Sequence, residues 1–202
     1  MDTARQLLAS RGYEALTMRD LAAESEVALK TLYRIYGNKD KLLQSAIAEQ
    51  YRGAYEAIDQ DTQPVGLDRV FFIAESIAAR VLEEASYIKA LSKMTSSQAM
   101  LETLTQLRTE MYTKALEQMR SQDDLCDFVS IPFLASSIGV HIGSLFRSWA
   151  NDGFGSNEMF DRVRMEVIFV LSPFAVGHAR ERLQTMTKQV YNDLITKVLR
   201  RS

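Results

Sequence analysis

The chain is 202 residues long, with three prolines, nine glycines, one cysteine and a formal net charge of −2. That length holds one or two domains with a buried core, and few helix breakers amid abundant Leu, Ala, Met, Glu, Gln and Arg predict an all-α protein. The slight acidity excludes a basic, sequence-indifferent nucleic-acid coat, so any DNA binding must come from a local patch.

Residues 1–52 carry eight Lys and Arg against seven Asp and Glu, and the remainder carries sixteen against nineteen, so the acidity lies in the carboxy-terminal part. Cys126 stands alone and cannot form an intrachain disulfide; it reads as a small hydrophobe. No signal peptide and no bilayer-length apolar run is visible, which predicts a cytoplasmic protein without a membrane partner.

Residues 2–10 predict a first helix, opened by Asp2 and closed at Gly12, where a left-handed residue is favoured. Thr17 and Asp20 then have the spacing of an N-cap whose partner reaches back to it, opening a short helix to about residue 25. After a tight turn over 25–27, a second short helix spans 28–36, and this pairing is the sequence form of a helix-turn-helix. Residues 27–39 hold Lys30, Arg34 and Lys39 and no Asp or Glu. Leu32 and Tyr36 make an inward stripe, while Leu29, Lys30, Tyr33 and Arg34 share another face that fits a groove of DNA. Gly37-Asn38 ends this helix. Lys39 opens a long amphipathic helix to about residue 58, with Leu42, Leu43, Ala46 and Ile47 inward, and sits where a positive helix end can grip a phosphate.

The run from Gly12 to Leu43 resembles the amino-terminal domain of the tetracycline-repressor (TetR) family of one-component transcription regulators. The matching residues are Gly12-Tyr13, Thr17, Leu21-Ala22, Val27, Thr31-Leu32-Tyr33, Tyr36, Asn38-Lys39-Asp40 and Leu42-Leu43. It departs at Glu26, where the family often has Gly, and at Ala28, often Ser. A non-Gly residue in a left-handed turn costs about 1–2 kcal/mol, and Ala cannot cap. Family members usually carry another turn and a basic arm ahead of the first helix, and this sequence offers no arm contacts.

The polar stretch 59–67, with Pro64 and Gly66, marks a boundary. The resemblance implies a three-helix DNA-binding domain over residues 1–50, joined by the long helix to a helical ligand-binding and dimerisation domain over 51–202. Helices are predicted over 68–85, about 87–94 and 97–120, with the first and third apolar on two sides, as in a bundle. Pro132 starts another helix, in which Ser136, Gly139 and Gly143 share a side. Each interior Gly costs about 1 kcal/mol relative to Ala, which points to a close helix crossing. The resemblance implies a subunit interface there, joined by Met165 and Phe169; a contact within one chain is the alternative. Residues 157–171 predict a further helix, after which Pro173 either kinks it or opens a last helix running to about residue 199.

A catalytic reading finds little: His141 and His178 are the only histidines, and there is no H-E-x-x-H, Cys pair or Gly-rich phosphate loop. We therefore expect no enzyme, cofactor or metal. Phe71, Phe72, Met94, Met111 and Tyr112, with Tyr87, Gln98 and His141 as polar contacts, could line a cavity for a partly apolar small molecule. On the DNA side, Lys30 and Arg34 are expected at base edges or nearby phosphates and Leu29 at a thymine methyl. By resemblance, Thr17, Arg19, Tyr33 and Lys39 would hold the backbone, with Thr31 positioning the helix. The implied function is a homodimeric repressor released from a palindromic operator by a small-molecule effector. The rival is a helical small-molecule carrier or enzyme that keeps a helix-turn-helix as scaffold.

Overall fold

The computed structural model describes residues 2–60, 64–92 and 98–199. Among them the chain is all-α, as expected, with an isolated bridge between Leu125 and Ala175. The elements are α1 (Asp2–Ala15), α2 (Met18–Glu24), α3 (Leu29–Tyr36), α4 (Lys39–Gln60), α5 (Gly66–Glu83), α6 (Ala85–Ser92), α7 (Gln98–Ser121), α8 (Ile131–Ala150), α9 (Met159–Leu171) and α10 (Gly177–Leu199). No helix among the described residues is long and apolar enough to cross a membrane.

Two hydrophobic cores organise these helices. Leu8, Leu16, Leu21, Leu32, Leu43 and Ile47 close the first, formed by α1 to α3 on the start of α4. Ile73, Ile77, Leu116, Met119, Leu134, Ile138 and Trp149 lie at the centre of the second, in which α5, α7, α8 and α9 pack together. α4 runs from one to the other. A second connection is made by α1 against α6, where Tyr87 is buried in the amino-terminal core and Arg5 pairs with Glu84 at 3.3 Å. Tyr87 was expected at a ligand cavity; it is instead a wedge between the two cores. Helical spacing marked its apolar face but not which neighbour would cover it.

Gly12 breaks α1 with φ 73° and ψ 168°, as its position predicts, although a further turn to Ala15 follows. The Pro173 alternatives resolve to two helices. Residues 172–176 are held beside the turn before α8: Cys126 N–H donates to the Phe174 carbonyl at 2.9 Å and Val176 N–H to the Asp124 carbonyl at 3.1 Å. The Asp124 carboxylate accepts from Ala179 N–H at 2.9 Å, capping α10 from a distant part of the chain.

Gly139 and Gly143 do mark a close crossing, but it is internal. Both are buried against α7, and a Cβ on Gly139 would stand 3.3 Å from the Arg108 Cβ. This corrects their assignment to a subunit interface: the spacing of small residues signals close approach without naming the partner helix. Met165 is buried as well, Ser136 is half-buried, and Phe169 is 62% exposed.

Candidate nucleic-acid interface and effector cavity

The helix-turn-helix is fixed from its start. Thr17 Oγ1 accepts from Asp20 N–H at 3.2 Å, and the Asp20 carboxylate accepts from Thr17 N–H at 2.9 Å. These bonds from Thr17, helped by Arg11 at 3.2 Å, hold the Asp20 carboxyl below its ordinary range. The turn closes through Val27 N–H to the Ala22 carbonyl at 3.1 Å. Glu26 takes the left-handed conformation at φ 54°, and Ala28 occupies the N-cap of α3 without a side-chain hydrogen bond.

α3 then divides by face. Leu32 is buried, while Leu29 and Tyr36 are half-buried against the amino-terminal core. Lys30, Tyr33 and Arg34 are exposed, and Thr31 is half-buried. Arg19 projects from the first turn of α2 and is exposed too. Among the described residues Arg19, Lys30 and Arg34 form no ion pair, so three cations on a rigid two-helix unit lack internal counter-charges. Ile35 is 59% exposed beside Arg34, a position the amphipathic reading passed over. Leu29, expected at a thymine methyl, gives part of its side chain to the core instead. Thr17 spends its hydroxyl on the cap.

Lys39 is turned inward. Its Nζ donates to the carbonyls of Tyr13 at 2.9 Å and Leu16 at 2.8 Å, and lies 4.0 Å from the centre of the Tyr13 ring. Tyr13 O–H donates to Asp40 at 2.6 Å, and that carboxylate pushes the phenol up to about 12. The expected phosphate grip is therefore corrected to a clamp on the turn that joins α1 to α2. Asn38, whose side chain accepts from Lys41 N–H at 2.9 Å, caps α4 instead.

A cavity of about 570 Å³ opens between α4 and α7, lined by Arg52, Glu56, Leu107, Glu110, Met111, Thr113 and Lys114. Of the expected ligand contacts only Met111 lines it. Phe71 and Tyr112 are buried in the carboxy-terminal core, and Phe72 lies half-buried under the Arg69 guanidinium. Burial pushes the Tyr87 phenol far up. His141 is a further correction: it is exposed on the outer side of α8, with Nδ1 3.0 Å from a Glu166 oxygen. Met94 and the Gln98 side chain lie outside the described residues. The cavity's polar lining was missed because helical charges ordinarily read as solvated faces, and only packing shows two such faces enclosing a space.

Residues 1–46 match the model of the bacterial regulatory proteins of the tetR family. The match spans α1, α2, α3 and the first turns of α4. Over 133 residues the chain is 27% identical to the HTH-type transcriptional repressor KstR of Rhodococcus jostii (strain RHA1), covering 61% of each protein. It thus spans about three fifths of the length of this curated relative. Among solved structures, RolR in complex with resorcinol superposes with a TM-score of 0.68 at 14% identity, over 92% of this chain and 90% of that one. FadR from Bacillus subtilis in complex with stearoyl-CoA superposes at 0.64 and 15% identity, over 85% and 95%. At these identities the two structures speak for the fold alone.

Proposed function

We propose that the chain is a homodimeric, ligand-responsive transcriptional regulator, in which residues 1–50 bind a palindromic operator and residues 51–202 bind an effector and dimerise. The observation that carries this reading is the outer face of α3, where Lys30, Tyr33 and Arg34 are exposed beside Arg19 on a capped helix-turn-helix. In such docking the second helix lies in the major groove, and a dimer meets half-sites about 34–36 Å apart. Lys30 and Arg34 reach base edges or phosphates there, and phosphate contacts set register while base contacts choose sequence.

Dimerisation is supported by apolar side chains left open on α8 and α9: Phe133 is 70%, Val140 48% and Phe169 62% exposed. The effector reading is supported by the cavity between α4 and α7, since Arg52 and Glu56 belong to the same helix that begins at the DNA-binding unit. The fold also holds resorcinol in RolR and stearoyl-CoA in FadR. A small molecule between α4 and α7 changes DNA binding only if it favours one separation of the two α3 helices over another. Repression is the direction that the KstR likeness favours; release by the effector, in the cytoplasm, belongs to the same proposal.

The test is titration of the purified protein against its own upstream DNA, with random competitor DNA and a salt series. Saturable binding to one palindromic segment at competitor excess is the expected result. Equal affinity for competitor and upstream DNA at every salt concentration would sink the reading.

A further inference from the structure

α3 carries three aliphatic side chains, and the fold uses them differently. Leu32 is buried and Leu29 is half-buried against the amino-terminal core, so neither presents its whole side chain outward. Ile35 is 59% exposed and belongs to neither core. At 3.6 residues per turn, Lys30 and Arg34 form a row along the helix, with Tyr33 on one side of it and Ile35 on the other. All four are exposed. The most exposed aliphatic group of the helix therefore stands on its cationic face.

A β-branched residue weakens an exposed helix slightly relative to Leu or Ala, and it gains nothing from facing water. It also offers phosphate no hydrogen bond, and covering an anionic oxygen with it would strip that oxygen of water without replacement. The apolar group that base edges present in the major groove is the thymine C5-methyl. We propose that Ile35 reads a thymine in each half-site by closing over that methyl, a contribution to sequence choice separate from those of Lys30 and Arg34. The inference rests on the operator-binding reading and deepens it: the two cations meet acceptors, and Ile35 meets a methyl. The methyl contact expected of Leu29 thus passes to a side chain that the core does not hold.

The experiment starts with the full chain selecting its preferred site from a random-sequence duplex library. Each thymine of the enriched site is then replaced by deoxyuridine in both half-sites, which removes the methyl and leaves every hydrogen-bonding group in place. At one thymine per half-site the parent's Kd rises about fourfold for each methyl lost, and so about fifteenfold for the pair. Ile35→Ala binds the thymine and deoxyuridine sites equally there, and Ile35→Val keeps part of the discrimination. Cytosine and 5-methylcytosine at the same position give a second readout: the methylated base is preferred by the parent and not by Ile35→Ala. Both variants unfold at the parent's Tm, since the side chain lies outside the core. The proposal is overturned if no thymine shows the loss, or if Ile35→Ala shows it as strongly as the parent. A parent that enriches no sequence overturns the regulator reading and this proposal together. One that enriches a palindrome yet is indifferent to every thymine methyl overturns this proposal alone.

Discussion

Lys39 and Tyr13 are joined twice: the Lys39 ammonium donates to the Tyr13 carbonyl at 2.9 Å and lies 4.0 Å from the centre of its ring. With the bond to the Leu16 carbonyl, this ties the start of α4 to the turn that launches the helix-turn-helix. Lys39→Ala is therefore expected to lower stability by about 1–3 kcal/mol, the range for hydrogen bonds from a charged donor. Urea unfolding of the full chain measures it, and the salt slope of DNA binding stays unchanged. A slope reduced by about one with unaltered stability would return Lys39 to the phosphate.

Arg34 is exposed and forms no ion pair among the described residues, so its removal leaves the core intact. Arg34→Ala is expected to change stability by less than about 0.5 kcal/mol and to cost about 1–3 kcal/mol of operator binding while relaxing sequence choice. Binding to the operator and to single-base variants at one salt concentration separates these effects. Uniform loss across all sequences would make it a phosphate contact.

Glu26 at φ 54° carries a strain that glycine lacks. Relief of about 1–2 kcal/mol is offset in part by the freedom glycine adds to the unfolded chain, so Glu26→Gly is expected to stabilise by about 0.5–1 kcal/mol. Ala28→Ser supplies the missing cap of α3 and adds about 1 kcal/mol. Differential scanning calorimetry of each variant provides the check; a lower Tm in both would mean the turn is not strained.

Two carboxylates make stability pH-dependent. Asp20 is held low by its bonds from Thr17 and Asp68 by its ion pair with Arg182, so both ionise more readily folded than unfolded. Their contribution is full above the unfolded value of about 3.9 and is lost as pH falls through the folded values. Asp20→Asn is thus less stable than the parent at pH 7, and the gap narrows in acid below about pH 4. Unfolding midpoints across that range test the sign. A gap that widens in acid would exclude this origin.

Phe169, 62% exposed on α9, is expected to enter the contact between two copies. Phe169→Glu should leave the fold intact and shift the protein from dimer to monomer at micromolar concentration, because a charge cannot be buried unpaired. Sedimentation velocity distinguishes the two. A dimer of unaltered stability would move the interface elsewhere.

The features legible in the residues are those whose causes lie within a few positions. Thr17 and Asp20 are three apart, so their reciprocal cap could be read from spacing, as could the break at Gly12, the strain at Glu26 and the inward stripe through Leu32. The residues likewise carry the all-α character, since propensity and periodicity act along the local chain. Tertiary structure alone decided which partner completes each surface. The ammonium of Lys39 turned inward because the carbonyls of Tyr13 and Leu16 arrived beside it, and Tyr87 was buried by α1 rather than by the carboxy-terminal bundle. Gly139 and Gly143 announced a close approach, yet only the packed helices reveal that Arg108 lies in the space they leave. Glycine spacing reports that something must come near; long-range packing chooses what does.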